Sequence, residues 1–338
     1  MMMFIFTSAS KLSNEPRKTD NCSLKLAPIC YKILGSIPVV LVLLISLLLS
    51  PSRVFSDYGA SGWPIFNKLQ SSQFEAISKV SPDNPDISGV VYNPSMLAAV
   101  NEKEITFVSE LGFADSKFGA LIIGLPVKSG MVSVGVAYFD AGITELNWLD
   151  SSGELQTRDA YAERDYLGVA SYEHPISGKL FAGVSVKGAS SELAEYKTAI
   201  AVAGDIGLYY LPRPNLSFTA ALQNVGNSTA FIATPDKLPE GVYAGASYIH
   251  PFAGLQLTTA LGATYLLPDA EMNPEAGIEL GGKIVSVNAG YRFWNNESNV
   301  HLGLRIMYGN TIFGYAYLPG LHLDAVQRLS ISFHFGHK

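Results

Sequence analysis

The stretch Arg328–Phe335 reads RLSISFHF. Successive side chains of a β-strand point to opposite faces, so Leu329, Ile331, Phe333 and Phe335 share one face and Arg328, Ser330, Ser332 and His334 the other. In a soluble sandwich or propeller the apolar face would be core and the polar face surface. In a membrane barrel the apolar face would meet lipid and the polar face would line the lumen.

The alternation recurs through the chain. In MVSVGVAYF, Val132, Val134, Val136 and Tyr138 oppose Ser133, Gly135, Ala137 and Phe139; LQLTTALGATYL (255–266) and VHLGLRIMY (300–308) repeat the pattern. Further runs of the same kind, with a weak pair between Gly142 and Tyr161, bring the expected count to about fourteen strands. KSG, HPISGK, LPRPN, HPFAG, WNNESN and YGN separate them, with Gly, Asn or Pro where hairpin turns need them. Tyr209, Tyr210, Tyr248, Phe252, Tyr291, Phe293, Trp294 and Tyr317 fall near strand ends, where interface girdles sit.

Composition favours the barrel. The 338 residues are 48% hydrophobic but only 15% charged, with 31 Gly, 17 Tyr and 17 Phe, whereas soluble domains average roughly 25% charged residues. A net charge of −6 leaves no basic footprint for nucleic acid. Ile33–Leu49, ILGSIPVVLVLLISLLL, is apolar throughout and follows Lys25 and Lys32, the layout of a secretory signal. Its length is close to the ~20 residues of a spanning helix, so an uncleaved anchor is the other reading. Both cysteines, Cys22 and Cys30, lie in the leader, so the exported part is expected to hold no disulfide.

No catalytic constellation is apparent, and the chain reads as a non-enzyme without cofactor or metal. His174, His250, His301, His322, His334 and His337 form no HExxH or H-x-x-x-H pair. Asp83 and Asp86 in SPDNPD lack the alternating oxygen ligands of a calcium loop and read as turn caps. Lys187, Arg292, Arg305 and Arg328 fall on predicted inward faces and are expected to line one lumen wall, with Glu110, Asp205 and Glu279 elsewhere. A charge facing lipid near mid-membrane costs ~2–4 kcal/mol, so such residues should point inward.

Tyr92-Asn93-Pro94-Ser95-Met96-Leu97 resembles the WNPAGL-type segment that opens the barrel in the PorV/PorQ family and its FadL-like relatives. GVAYFDAGITEL (135–146), LFAGVSVKGASSELAEYKTAIAVAGDIGLYY (180–210), LSFTAALQNVG (216–226), KLPEGVYAGASY (237–248), PEAGIEL, VNAGYRF and RLSISFHFG follow in the family's order. The resemblance spans roughly residues 70–336, although FEAISKVSPDNPDISGVV replaces the family's glycine-rich segment before the NP motif. It implies an all-β protein, a transmembrane antiparallel β-barrel of about 14 strands with a short N-terminal plug segment. The expected organisation is a leader over 1–56, an irregular plug segment over 57–100 and a barrel over 101–338. The expected location is the bacterial outer membrane, with outer-membrane lipid as a partner and export by a signal peptide. The family's functions imply a protein-interaction or shuttle role in type IX secretion, with secreted cargo proteins or secretion-system subunits as partners. Leu149–Asp165, polar and read as an irregular loop, is the expected docking segment. The alternative is a FadL-like channel for hydrophobic small molecules, with Asn93 and Pro94 at the plug or its ligand.

Overall fold

A computed structural model describes residues 61–77, 86–100, 102–293, 299–320, 322 and 324–336. The apolar segment Ile33–Leu49, both cysteines, Asp83, Trp294 and His337 lie outside the described residues.

Fourteen strands close into one antiparallel barrel. In chain order they are β1 (Glu104–Leu111), β2 (Lys117–Val127), β3 (Gly130–Asp140), β6 (Glu163–Pro175), β7 (Leu180–Leu193), β8 (Lys197–Arg213), β9 (Leu216–Ser228), β10 (Gly241–Phe252), β11 (Leu255–Leu266), β12 (Glu271–Gly281), β13 (Val285–Arg292), β14 (Val300–Tyr308), β15 (Thr311–Leu318) and β16 (Val326–His334). Each barrel strand pairs with its neighbour, and β16 returns to β1 through eight register pairs from Glu104↔His334 to Leu111↔Gln327. Closure leaves no strand edge with unsatisfied amides, which a bilayer demands.

RLSISFHF shows which face is which. Arg328, Ser330 and Ser332 are 3%, 6% and 2% exposed and point into the lumen, whereas Leu329 and Phe335 are 56% and 57% exposed. The whole of β8 repeats this. Ala199, Ala201, Ala203, Asp205 and Tyr209 are buried inside, while Ile200, Val202, Ile206 and Leu208 stand exposed outside. Large apolar residues outside and small or polar ones inside invert the order of a soluble protein and match a barrel in lipid. Among the described residues no helix is long and apolar enough to cross a membrane.

The remaining pair, β4 (Ile143–Leu149) and β5 (Leu155–Tyr161), forms its own two-stranded sheet outside the barrel. Leu149–Asp165 is therefore a hairpin arm leading into β6, not the irregular loop expected from its polarity. The girdle assignment of Tyr209 is also corrected. It is 1% exposed and inward, because its parity is that of Ala201 and Ala203, not of its neighbour Tyr210.

The two ends differ. At one end strands are joined by short turns such as Lys128-Ser129, Pro214-Asn215, Ala253-Gly254 and Gly309-Asn310. The other carries the β4–β5 hairpin and the 229–240 and 319–325 connections. Short turns on one side and longer loops on the other is the usual asymmetry of outer-membrane barrels.

Residues ahead of β1 run through the lumen. Ser61 bridges Lys237 and its hydroxyl donates to Asp269 Oδ2 at 2.7 Å, which places this segment at the long-loop mouth. Trp63 stacks on Phe231 there, with ring centroids 6.1 Å apart. A single helical turn, Ser72–Ala76, and two 3-10 segments, Ile87–Val91 and Pro94–Ala99, follow, nearly all buried. The chain reaches the short-turn end at Glu104, where β1 begins.

Candidate functional site: the lumen and its plug

The NP motif locks the plug to one wall. Asn93 adopts extended backbone before Pro94, whose fixed φ suits the first position of a helical segment. The Asn93 carboxamide oxygen accepts from the Ser95 amide at 3.0 Å and its hydroxyl at 2.6 Å, capping the Pro94–Ala99 segment. The amide nitrogen of Asn93 donates to Leu208 O at 3.1 Å, Ala220 O at 3.2 Å and the Thr219 hydroxyl, spanning β8 and β9. Gly183 and Gly207 make room for this approach. A Cβ on Gly183 would overlap the Pro94–Ser95 backbone, and one on Gly207 would overlap Asn93 Oδ1.

Lys187 belongs to the same wall. Its Nζ lies 2.7 Å from Asp205 Oδ2, and it donates to Asn224 Oδ1 at 2.8 Å and to Val91 O of the plug at 3.0 Å. Here the β8–β9 register shifts between Gly204 and Ile206. Asn224 sits at φ 55, a left-handed conformation that Asn tolerates well, and its amide donates to Asp205 Oδ1 at 2.7 Å. Gln223 of the bulge donates to Tyr92 O at 2.7 Å.

Arg292, Arg305 and Arg328 lie on β13, β14 and β16, across the lumen from Lys187 on β7. The four cations therefore do not line one wall, because strand number, not face alone, sets the wall. Each has a carboxylate close by. Arg305 reaches Glu279 at 2.7 Å, Arg292 reaches Glu75 at 2.9 Å, and Arg328 pairs with Glu110 and, at 3.0 Å, with Glu75. Lys68 of the plug adds a second cation to Glu110 at 2.9 Å. Glu110, Asp205 and Glu279, which the sequence could not assign to partners, are thus the counter-ions of Arg328, Lys187 and Arg305.

Glu75 is the hub that sequence reading missed. It lies in FEAISK, a stretch without distinctive pattern, yet it meets Arg292 and Arg328, and its backbone oxygen meets His301 Nδ1 at 2.7 Å. Burial alone would raise its pKa, but the charges of Arg292, Arg328, His301 and Lys68 outweigh that and hold the carboxyl at about 2. Elsewhere, His174 lies within 2.8 Å of Ser129 O in a turn contact at the short-turn end, and His334 lies 3.9 Å from Glu104. Among the described residues no group of three or more His, Cys, Asp or Glu is arranged to hold a metal ion.

A third feature is apolar. Phe118, Phe139, Leu167, Ala189, Ala199 and Ala201 of β2, β3 and β6–β8 point inward and pack with Trp63, Phe66 and Leu69 of the plug and with Phe231. One patch of the lumen is therefore oily, although β7 and β8 also carry the Lys187–Asp205 pair, and the β12–β16 sector is ionic. A water-filled porin lumen would be polar throughout.

No protein-family model matches this chain, and no curated protein matches it. Solved structures do. The toluene transporter TodX of Pseudomonas putida superposes with a TM-score of 0.51 at 10% identity, covering 78% of this chain and 96% of that one. The CymD monoaromatic hydrocarbon channel gives 0.51 at 12% identity, over 79% and 98%. A TodX channel variant, deltaS2, gives 0.56 at 12% identity, over 80% and 100%. The chain shares its barrel fold with these hydrocarbon channels. The PorV/PorQ resemblance of the short motifs gains no support from the comparisons.

Proposed function

We propose that the protein is an outer-membrane channel that admits small hydrophobic molecules, with the segment ahead of β1 as its plug. The observation that carries this reading is the apolar lumen sector built by Phe118, Phe139, Leu167 and the alanines of β7 and β8 around Trp63 and Phe66. An oily patch of this kind lowers the free energy of a hydrocarbon that leaves water and offers nothing to an ion or a sugar. TodX and CymD, which share the fold, are described as carrying toluene and monoaromatic hydrocarbons. The plug blocks a simple aqueous pore, since Gln70–Ala76 and Asp86–Leu97 are buried throughout.

Bacterial cells that express the chain in the outer membrane, compared with cells that do not, test the proposal. Faster entry of a radiolabelled monoaromatic hydrocarbon, with no gain in glucose entry, supports it. Unchanged hydrocarbon entry refutes it.

The secretion-platform reading keeps one specific observation. The β4–β5 hairpin stands outside the barrel with Ile143, Leu149 and Leu155 exposed at 69%, 69% and 66%. Secreted proteins recovered with the solubilised barrel, and lost when residues 143–161 are replaced by a short turn, would favour it.

A further inference from the structure

Exposed charge divides between the two ends of the barrel. At the short-turn end Lys103, Lys128, Lys179, Arg213 and Lys283 are all exposed, and Glu102 is the one exposed carboxylate there among the described residues. Glu104 and Glu173 at that end are buried. The long-loop end exposes more carboxylates, Glu145, Glu154, Asp159 and Asp236 among them, than cations.

The five cations are spread around the rim and not gathered in one loop. Following the strand order, they occupy the β16/β1 junction and the β2/β3, β6/β7, β8/β9 and β12/β13 turns. Only the β10/β11 and β14/β15 turns of this end lack one. Each sits at the lower edge of the apolar exterior. Lys128 follows exposed Val127, Lys283 precedes exposed Ile284, Arg213 is three residues from exposed Tyr210, and Lys179 is three from exposed Ile176. The Lys103 carbonyl accepts the amide of Phe335, which is itself exposed, at 2.8 Å. Aromatic rings mark the same level, with Tyr210 and Phe218 stacked at 6.4 Å and Tyr248 and His250 at 6.3 Å.

We propose that this rim binds the phosphate-bearing headgroups of anionic phospholipid in the leaflet at the short-turn end. Long Lys and Arg stems lie along apolar surface while their heads reach outward to the headgroup layer. Cations at that depth face phosphodiesters, and anionic headgroups there neutralise a ring that carries five cations against one exposed carboxylate. The inference rests on the membrane reading under Proposed function.

The test uses the full chain in phosphatidylcholine bilayers, with trace spin-labelled phosphatidylglycerol or phosphatidylcholine as the probe. Electron spin resonance measures the fraction of each label held at the barrel surface. Wild type is expected to favour phosphatidylglycerol by at least about twofold, and 1 M NaCl should erase that preference. The variant K128Q/K179Q/R213Q/K283Q, altered only at exposed turn and strand-end positions, should show none, while K117Q/K197Q/K237Q at the opposite end should keep it. A shift in gel mobility on boiling checks that each variant folds. Equal retention of both lipids by wild type, or a preference that survives the quadruple change, overturns the inference. Failure of wild type to enter the bilayer at all refutes the membrane reading itself, and this inference with it.

Discussion

Arg328 on the last strand and Glu110 on the first are register partners, and their side chains pair inside the lumen across the seam where the barrel closes. Arg328 Nε donates to Glu110 Oε2 at 2.8 Å, and its Nη1 donates both to Glu75 Oε2 and to Gln70 O at 3.0 Å. One guanidinium thus joins the two ends of the barrel wall to the plug. Removing one partner of a buried pair typically costs ~3–5 kcal/mol, because it strands the other charge. Arg328→Met takes a cation from two buried carboxylates at once, leaving Glu110 with Lys68 and Glu75 with Arg292, whereas Glu110→Gln leaves Arg328 its bond to Glu75. The barrel of Arg328→Met should therefore unfold at a clearly lower temperature than that of Glu110→Gln, measured by the temperature at which the folded band is lost on a gel. Equal loss in both variants would show that the seam pair acts alone.

Acid should loosen the plug through Glu75. Its carboxyl titrates near 2 in the fold against an ordinary 4.5. A depressed carboxylate contributes stability that is fully present above about pH 4.5 and is lost as pH falls toward 2, by ~3 kcal/mol at most. Protease cleavage within the plug should thus rise on acidification from pH 5 to pH 2.5, using an acid-active protease. Glu75→Gln should flatten that dependence. A wild-type profile flat over this window would remove Glu75 from the hold on the plug.

The wall glycines give a steric test of the NP lock. A valine at Gly207 must displace Asn93 Oδ1 and press on Pro94 Cδ, which a Cβ there would meet at 3.2 Å. The Gly207→Val change leaves the outward face of β8 untouched, so the barrel should form while the plug shifts. Ion conductance in a planar bilayer should rise well above that of wild type. A Cβ on Gly188 would meet nothing within 4 Å, so Gly188→Ala should conduct as wild type does.

The barrel itself was legible because a period of two is written locally in each strand, and RLSISFHF, MVSVGVAYF and VHLGLRIMY all carry it. Cross-lumen partners were not legible. Glu110 and Arg328 are 218 positions apart, and nothing local in either strand sets the register that joins them. The contacts of the expected plug were not legible for another reason: its helical pieces are too short to show a period, so nothing in the sequence set Glu75 and Lys68 apart from ordinary polar residues. LDSSGELQTRDAYAERD read as a loop because β5, standing outside the barrel, carries polar residues on both faces. Nearness to a strand end does not set the face of Tyr209; its parity, opposite to that of Ile206 and Leu208, does.

Outward positions carry the cost of lipid, and β8 offers the cleanest comparison. Val202 is 57% exposed and Ala203, its neighbour, is 4% exposed and inward. An arginine on the lipid face near the midplane costs ~2–4 kcal/mol. Val202→Arg should lower folded yield in lipid bilayers by that order, and should be nearly neutral in a detergent that lets the charge reach water. A cost independent of the host would mean that this face packs against protein.

The mouth provides the test of route. Trp63 is 4% exposed and held at φ 63, a conformation that L side chains rarely adopt, so tertiary contacts must fix it there. Those contacts include the stack on Phe231 and an edge-on meeting with Phe66 at 6.3 Å. An aromatic pair adds ~0.5–1.5 kcal/mol beyond its burial. Trp63→Ala removes that stack and much of the buried area. If the strap must leave the mouth before a hydrocarbon enters the oily sector, the population of the open state rises and entry accelerates from a few-fold to about tenfold. Phe231→Ala should act in the same direction, because it removes the other ring of the stack. Both variants keep the lock at Asn93 and the ionic hub at Glu75, so ion conductance should stay at the wild-type level. Hydrocarbon entry that slows in both variants would show instead that the two rings form the first binding surface of the route, and unchanged entry would place the route away from this mouth.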